Sequence, residues 1–266
     1  MFAYGPAGLL RGAARRAREA GYILNIVGVD GEDERAVSEA FDAFEAERVA
    51  AILAVTLTDS VRNAVEQRSS DVPILVDPAE AHQRSGYMNE VGGSLVARHF
   101  ADLGHRRVGM VLGPQNWLPA RQRRQGFVAT AEDAGLECVR FWDGDWSAEA
   151  GAAAAAQFDP SDGITAVFAA NDAQAIGFIG GLSQAGFRVP DDVSVAGFDG
   201  TPESAYFTPS LTTIGADYEG QGRIAIDALL ASIQGESTEL PSPDVTLVAR
   251  ASTASPATAL KEPNES

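Results

Sequence analysis

The sequence predicts an α/β protein with parallel strands, and two observations carry that expectation. Short continuous apolar runs alternate with longer stretches of helical periodicity, which is how buried parallel strands joined by crossover helices read. Several of the runs then stop abruptly at polar residues: 166–169 at Asn171-Asp172, 193–198 at Asp199-Gly200 and 72–76 at Asp77-Pro78. In an open α/β sheet the carboxyl ends of the strands are where ligands bind, so Asn171 and Asp199 are expected to aim into one crevice.

The elements follow in order. Leu9, Leu10, Ala13, Ala14 and Ala17 recur at helical spacing, with Arg11, Arg15, Arg16 and Arg18 opposite, Pro6 in the first turn and Gly21 past the end. Opening on a helix is unusual for such a domain. Residues 22–29 read as a strand, 33–48 as a helix, 49–55 as a strand, 60–68 as a weaker helix and 72–76 as a short strand. A helix over 89–103 is closed by Gly104, and 107–112 is the next strand. Gly113-Pro114 breaks the pattern as a candidate crossover. Beyond it come a helix over 119–134, a strand over 138–142, an alanine-rich helix over 146–157, a strand at 166–169, a helix over 173–185 closed by Gly186, and a strand at 193–198. A helix over 218–233 and a strand at 245–248 complete the pattern. The small, polar tail from 251 is expected to lack structure.

Composition bounds the function. The 266 residues exceed what one typical core needs, so two lobes are expected. Lysine plus arginine number 20 against 37 aspartates and glutamates, a net charge of −17. That argues against a nucleic-acid surface within this chain, since phosphate binding needs clustered positive charge; a separate basic domain is not excluded. Cys138 is the sole cysteine, so no internal disulfide forms and a reducing compartment fits. No apolar run is long enough for a membrane span, and the amphipathic opening is unlike a secretory leader. The expected location is cytoplasmic.

Catalytic readings find no support in the residues. His82, His99 and His105 are scattered, and no Cys/His pair has metal-ligand spacing. There is no nucleophile elbow, no phosphate loop and no dinucleotide fingerprint after a strand. Gly180-Gly181 inside a helix reads as close packing. No catalytic residue, no metal and no cofactor is therefore expected, and the protein is read as a non-enzyme.

Six segments resemble one family: DLGHRRVGMVLGP at 102–114, RQRRQGF at 121–127, GDWSAEAG at 144–151, AANDAQAIG at 169–177, VPDDVSVAGFDGTPESAYFTPSLTTI at 189–214 and LVARAST at 247–253. Together they resemble the effector-binding core of LacI/GalR-type transcriptional regulators, from Tyr4 to about Thr253. The resemblance implies a type I periplasmic-binding-protein-like fold: two Rossmann-like lobes joined by a three-strand hinge, with a small-molecule site in the cleft. It also implies a homodimer whose DNA affinity the effector changes. The lobes would be 1–113 with about 217–240, and 114–216 with about 244–254, leaving 255–266 as a disordered tail.

The resemblance carries five ligand-binding residues: Asp77, Arg123, Trp146, Asn171 and Asp199. Such a set suits a sugar or polyol. Carboxylates accept from vicinal hydroxyls, arginine offers a rigid fork of donors, asparagine does both, and an indole covers the C–H face of a ring. Each has a plainer reading. Asp199 and Asp77 could simply end strands in turns, Asn171-Asp172 could cap a helix (with Asp172 as the capping residue), and Trp146 could anchor a core. Arg121 and Arg124 are expected in solvent or in ion pairs, and Trp117 at the rim.

The family's helix-turn-helix, its hinge helix and the first strand of its amino-terminal lobe would all lie upstream of Tyr4. As given, the chain is therefore expected to reach operator DNA only through a domain it does not include. Two rivals compete: a solute-binding protein of a sugar ABC transporter with the same fold, and a metabolic enzyme on a Rossmann-like scaffold.

Overall fold

A computed structural model describes residues 4–29, 33–55, 57–77, 85–236 and 244–257. Its helices are α1 (Tyr4–Glu19), α2 (Glu34–Glu47), α3 (Asp59–Glu66), α4 (Ser85–Leu103), α5 (Leu118–Asp133), α6 (Ala148–Ala155), α7 (Asp172–Gln184) and α8 (Tyr218–Ile233). Its strands are β1 (Ile52–Val55), β2 (Ile74–Asp77), β3 (Arg107–Val111), β4 (Glu137–Trp142), β5 (Ala166–Ala169), β6 (Ser194–Asp199), β7 (Thr212–Ala216) and β8 (Val245–Val248). His82 falls outside the described residues.

The chain divides into two compact units, one from Met1–Asn89, Gln115–Gln122 and Ala216–Val245, the other from Glu90–Pro114, Arg123–Gly215 and Thr246–Ser266. The first boundary thus falls at residue 90, not at the expected 113. The reason is pairing: β3 lies between β4 and β5, parallel to both, so it belongs inside the second unit's sheet. The helix before it follows, with Gly93 packed so tightly that a Cβ there would sit 2.2 Å from the Arg123 carbonyl.

The second unit carries a six-stranded sheet in the order β4-β3-β5-β6-β7-β8. Ala166, Val167, Phe168 and Ala169 of β5 are wholly buried, as a central strand covered on both faces must be. Phe127 and Phe168 meet with ring centroids 5.1 Å apart, and Trp142 meets Phe178 at 5.7 Å. Helices α6 and α7 approach backbone to backbone, and Gly181 belongs to that contact: a Cβ there would meet Ala155 at 2.6 Å.

Residues 252–254 are fastened, which corrects the expectation of a loose tail from residue 251; 258–266 lie outside the described residues. Ser252 is fully buried; its hydroxyl donates to the Val195 carbonyl at 2.6 Å and accepts from the Thr212 amide at 2.8 Å. His105 helps to hold it. Nε2 lies 3.0 Å from the Ala254 carbonyl and must donate, so a neutral ring accepts from the Thr165 hydroxyl through Nδ1 at 2.8 Å. Burial pushes the His105 pKa down to about 4.

The first unit is built from α1, α2, α3 and α8 around a two-stranded parallel sheet in which Ile52 pairs with Ile74 and Val55 with Asp77. Helix α2 has the expected ends: Asp33 caps it by accepting from the amides of Arg35 and Ala36, and Arg48 closes it at φ 53°. Helices α1 and α8 pack closely, and a Cβ on Gly222 would lie 2.0 Å from the Leu9 carbonyl. Residues 22–29 differ from expectation: they form no strand. Their apolar side chains suit a sheet, but among the described residues no neighbouring strand pairs with them, and β-structure exists only as pairing.

Candidate functional site

The expected site residues of the second unit gather at the carboxyl ends of its strands. Arg123 lies in the first turns of α5, Trp146 just ahead of α6, Asn171 at the end of β5 and Asp199 at the end of β6. Arg123 is the centre. It is 6% exposed overall, too buried to be left as a bare cation. Nη1 donates to the Ala170 carbonyl at 2.6 Å and lies 3.2 Å from Asp199 Oδ1. Its guanidinium stacks over Phe198 at 3.7 Å and faces the Trp146 ring at 5.3 Å. An arginine fork is planar and stacks well on aromatic faces. It is therefore fixed in place before any ligand arrives.

Two of these residues sit in unfavourable backbone conformations. Trp146 has φ 73° and Asp199 φ 111°, each a cost of about 1–3 kcal/mol that the surroundings must offset. For Trp146 the surroundings are visible: its ring lies against Gly113, where a Cβ would come within 2.5 Å. Gly113, marked in the sequence as a crossover, thus makes room for the indole.

Asn171, not Asp172, is the cap of α7. Its Oδ1 accepts from the Gln174 amide at 2.8 Å, and its Nδ2 donates to the Trp146 carbonyl at 3.0 Å. Gln174, fully buried, ties the same helix to the end of β3 by donating to the Leu112 carbonyl at 2.8 Å.

Asp172 plays a part the sequence reading did not assign. It is 1% exposed. Its Oδ2 accepts from the Thr201 amide at 2.7 Å and the Thr201 hydroxyl at 3.0 Å; its Oδ1 accepts from the Thr213 hydroxyl at 2.5 Å. These bonds hold the turn that follows Asp199. Burial first, and the charge of Asp199 second, push its pKa up to about 7, against the opposing pull of the three hydrogen bonds. The available signal was an acidic residue directly behind an all-apolar strand, where burial rather than capping decides its chemistry.

The neighbouring arginines separate as expected. Arg121 pairs with Asp59 at 2.5 Å and donates to the Gln115 carbonyl at 2.9 Å, both in the first unit, and Arg124 lies over the Phe141 ring at 5.0 Å. Asp77 ends β2 in the first unit; its side chain lies outside the described residues. Among the described residues no group of three His, Cys, Asp or Glu is placed to hold a metal ion.

Comparison with known proteins bears on the family and the fold. Residues 97–253 match the model of a periplasmic-binding-protein-like domain. The chain is 37% identical over 153 residues to the HTH-type transcriptional repressor PurR of Photobacterium profundum, covering 56% of the chain but only 46% of that repressor. It is 32% identical over 233 residues to the ribose operon repressor of Escherichia coli K12, covering 85% of the chain and 70% of that protein. A dimeric Lac repressor with a C-terminal deletion superposes with a TM-score of 0.85 at 28% identity, over 95% of each chain. These matches, on a fold shared along nearly the whole chain, place this protein in the LacI family of transcriptional regulators, of which it spans the periplasmic-binding-protein-like core.

Proposed function

We propose that this core senses a sugar or related polyol through Arg123, Trp146, Asn171 and Asp199, with Asp77 included on the family resemblance alone. The observation that carries the reading is the fixed Arg123–Asp199 pair, 3.2 Å apart and flanked by aromatic faces. It offers donors and acceptors side by side, which vicinal hydroxyls need, next to an indole suited to a ring's C–H face. The ribose repressor among the relatives supports a sugar over a nucleobase. In the intact regulator the core dimerises, and occupancy shifts affinity for operator DNA by as much as the effector's affinities for the two states differ. A helix-turn-helix outside this chain would contact the DNA, and the protein would work in the cytoplasm as a binding protein rather than an enzyme. The relatives are repressors, so the transporter reading is not favoured.

Calorimetric titration with pentoses, hexoses, polyols and nucleosides tests this. One sugar should bind saturably, and Arg123→Ala should weaken it ~30-fold or more, since truncating a buried charged contact costs about 2–5 kcal/mol. Equal affinity in parent and variant would remove Arg123 from the site.

A further inference from the structure

A second carboxylate, Asp172, belongs to the same network as Asp199 and is 1% exposed. It grips the turn that carries Asp199 at two points. Oδ2 accepts from the Thr201 amide and hydroxyl, and Oδ1 accepts from the Thr213 hydroxyl, whose oxygen in turn accepts from the Gly200 amide at 3.3 Å. Ahead of Thr201, Asp199 and Gly200 both hold positive φ, 111° and 65°. A non-glycine residue keeps such a conformation only where its surroundings over-determine it, and these bonds supply that constraint. The charges are unbalanced as well, with two carboxylates near one guanidinium, which lies 3.2 Å from Asp199. Burial, and then the charge of Asp199, hold the Asp172 pKa up at about 7. The elements packed around Asp172 bring no other enclosed charge. Helix α7 and strands β5 and β7 carry no further titratable side chain, and Glu149 of α6 and Glu203 beyond the turn are exposed.

We infer that Asp172 is a positioning residue for the effector: it aims Asp199 through the turn it holds, and sugar binding at Asp199 goes with the neutral form of Asp172, so that affinity declines as the solution turns alkaline. This rests on the effector reading above. Hydrogen bonding permits both forms of Asp172. The neutral acid donates from Oδ1 to the Thr213 hydroxyl oxygen and still accepts from Thr201 at Oδ2. The turn therefore survives protonation, and what changes is the charge. A sugar lying on Asp199 displaces water that screens one carboxylate from the other, and in the lower dielectric their repulsion grows. Binding thus draws a proton from solvent onto Asp172. A group made more basic in the complex strengthens binding below its pKa in the free protein, and that contribution is lost as pH rises past it. A neutral sugar brings no titrating group of its own to this range.

The test titrates the full chain calorimetrically with D-ribose, and with any other sugar of the panel above that binds, at pH 6, 7 and 8 in phosphate and in imidazole buffer, whose heats of ionisation differ. The parent should lose ~5-fold or more in affinity from pH 6 to pH 8 and take up a fraction of a proton near pH 7, read from the difference between buffers. Asp172→Asn keeps the bonding pattern of the neutral acid. It should bind at every pH as the parent does at pH 6, and take up no proton. Asp172→Ala releases the turn and should bind ~10-fold or more weaker at pH 6, since it leaves buried donors unsatisfied. Rescue by the amide together with loss of the pH slope is a result that a merely structural role would not give. Level affinity from pH 6 to 8 in the parent, with no proton uptake, would overturn the proposal whatever the variants do. So would a slope that persists in Asp172→Asn, or an amide variant as weak as the alanine one. Those outcomes leave the effector reading standing as long as Arg123→Ala weakens the same sugar. If no sugar binds the parent at any pH, the effector reading fails and this proposal with it.

Discussion

The two units use the same βα alternation and reach different states of completion. In the second, β5 is enclosed by β3 and β6, every residue of it is buried, and polar groups emerge only at the strand ends. In the first, among the described residues, β1 pairs with β2 alone and the apolar segment 22–29 pairs with no strand. Apolar pattern is thus a statement about what a segment can pair with. Whether it becomes a strand depends on a neighbour being present. The candidate contacts Asn171 and Asp199 sit at the ends of strands that neighbours hold on both sides, which fixes where the backbone delivers them.

Substitutions can break or sharpen that contrast. The largest effect is expected from Phe168→Ala, which empties the centre of the second unit: about 3–5 kcal/mol less stable by denaturant unfolding. Asp199→Ala comes next. It strands the buried Arg123 guanidinium, costing about 3–5 kcal/mol by analogy with broken buried pairs, and alanine, which keeps a Cβ, does not relieve the strain at φ 111°. A stability equal to the parent's would show that the pair is not as enclosed as described.

The pH dependence should be moderate and of opposite sign at two positions. With the folded Asp172 pKa raised to about 7 from 3.8, the native state holds a proton that the unfolded chain has released. Its contribution is complete below 3.8 and is lost as pH rises toward 7. His105, lowered to about 4 from 6.5, contributes above 6.5 and loses its contribution as pH falls toward 4. The two contributions oppose one another over the same window, so in thermal melts Asp172→Asn should gain stability relative to the parent as pH rises from 5 to 7, and His105→Gln should gain relative to the parent as pH falls from 6.5 to 4. Parallel pH profiles for parent and variants would refute both assignments. The smallest effect belongs to the first unit: Ile23→Ser, at a side chain 94% exposed, should stay within about 0.5 kcal/mol of the parent.

The candidate site was legible where chemistry changes abruptly along the chain. Asp199 follows five buried residues of β6, and Asn171 follows wholly apolar β5. Choosing Arg123 over Arg121 and Arg124 rested on resemblance, since spacing alone does not say which arginine of a helix turns inward. Asp172 was passed over because capping and burial look identical in one dimension; Thr201 and Thr213, which satisfy it, lie 29 and 41 residues away.

By itself the sequence determined the alternation of strands and helices, their order, the helix ends marked by Asp33, Gly104 and Gly186, and the polar residues that close β5 and β6. These are local consequences of apolar periodicity and of backbone preference. Tertiary structure alone decided that β3 joins the second unit, that 22–29 stays unpaired, that Ser252 and Ala254 are locked to β6 and His105, and that Asp172 is enclosed. Each of those outcomes depends on which distant segment arrives as neighbour, and hydrogen bonds and desolvation are properties of neighbours rather than of residues.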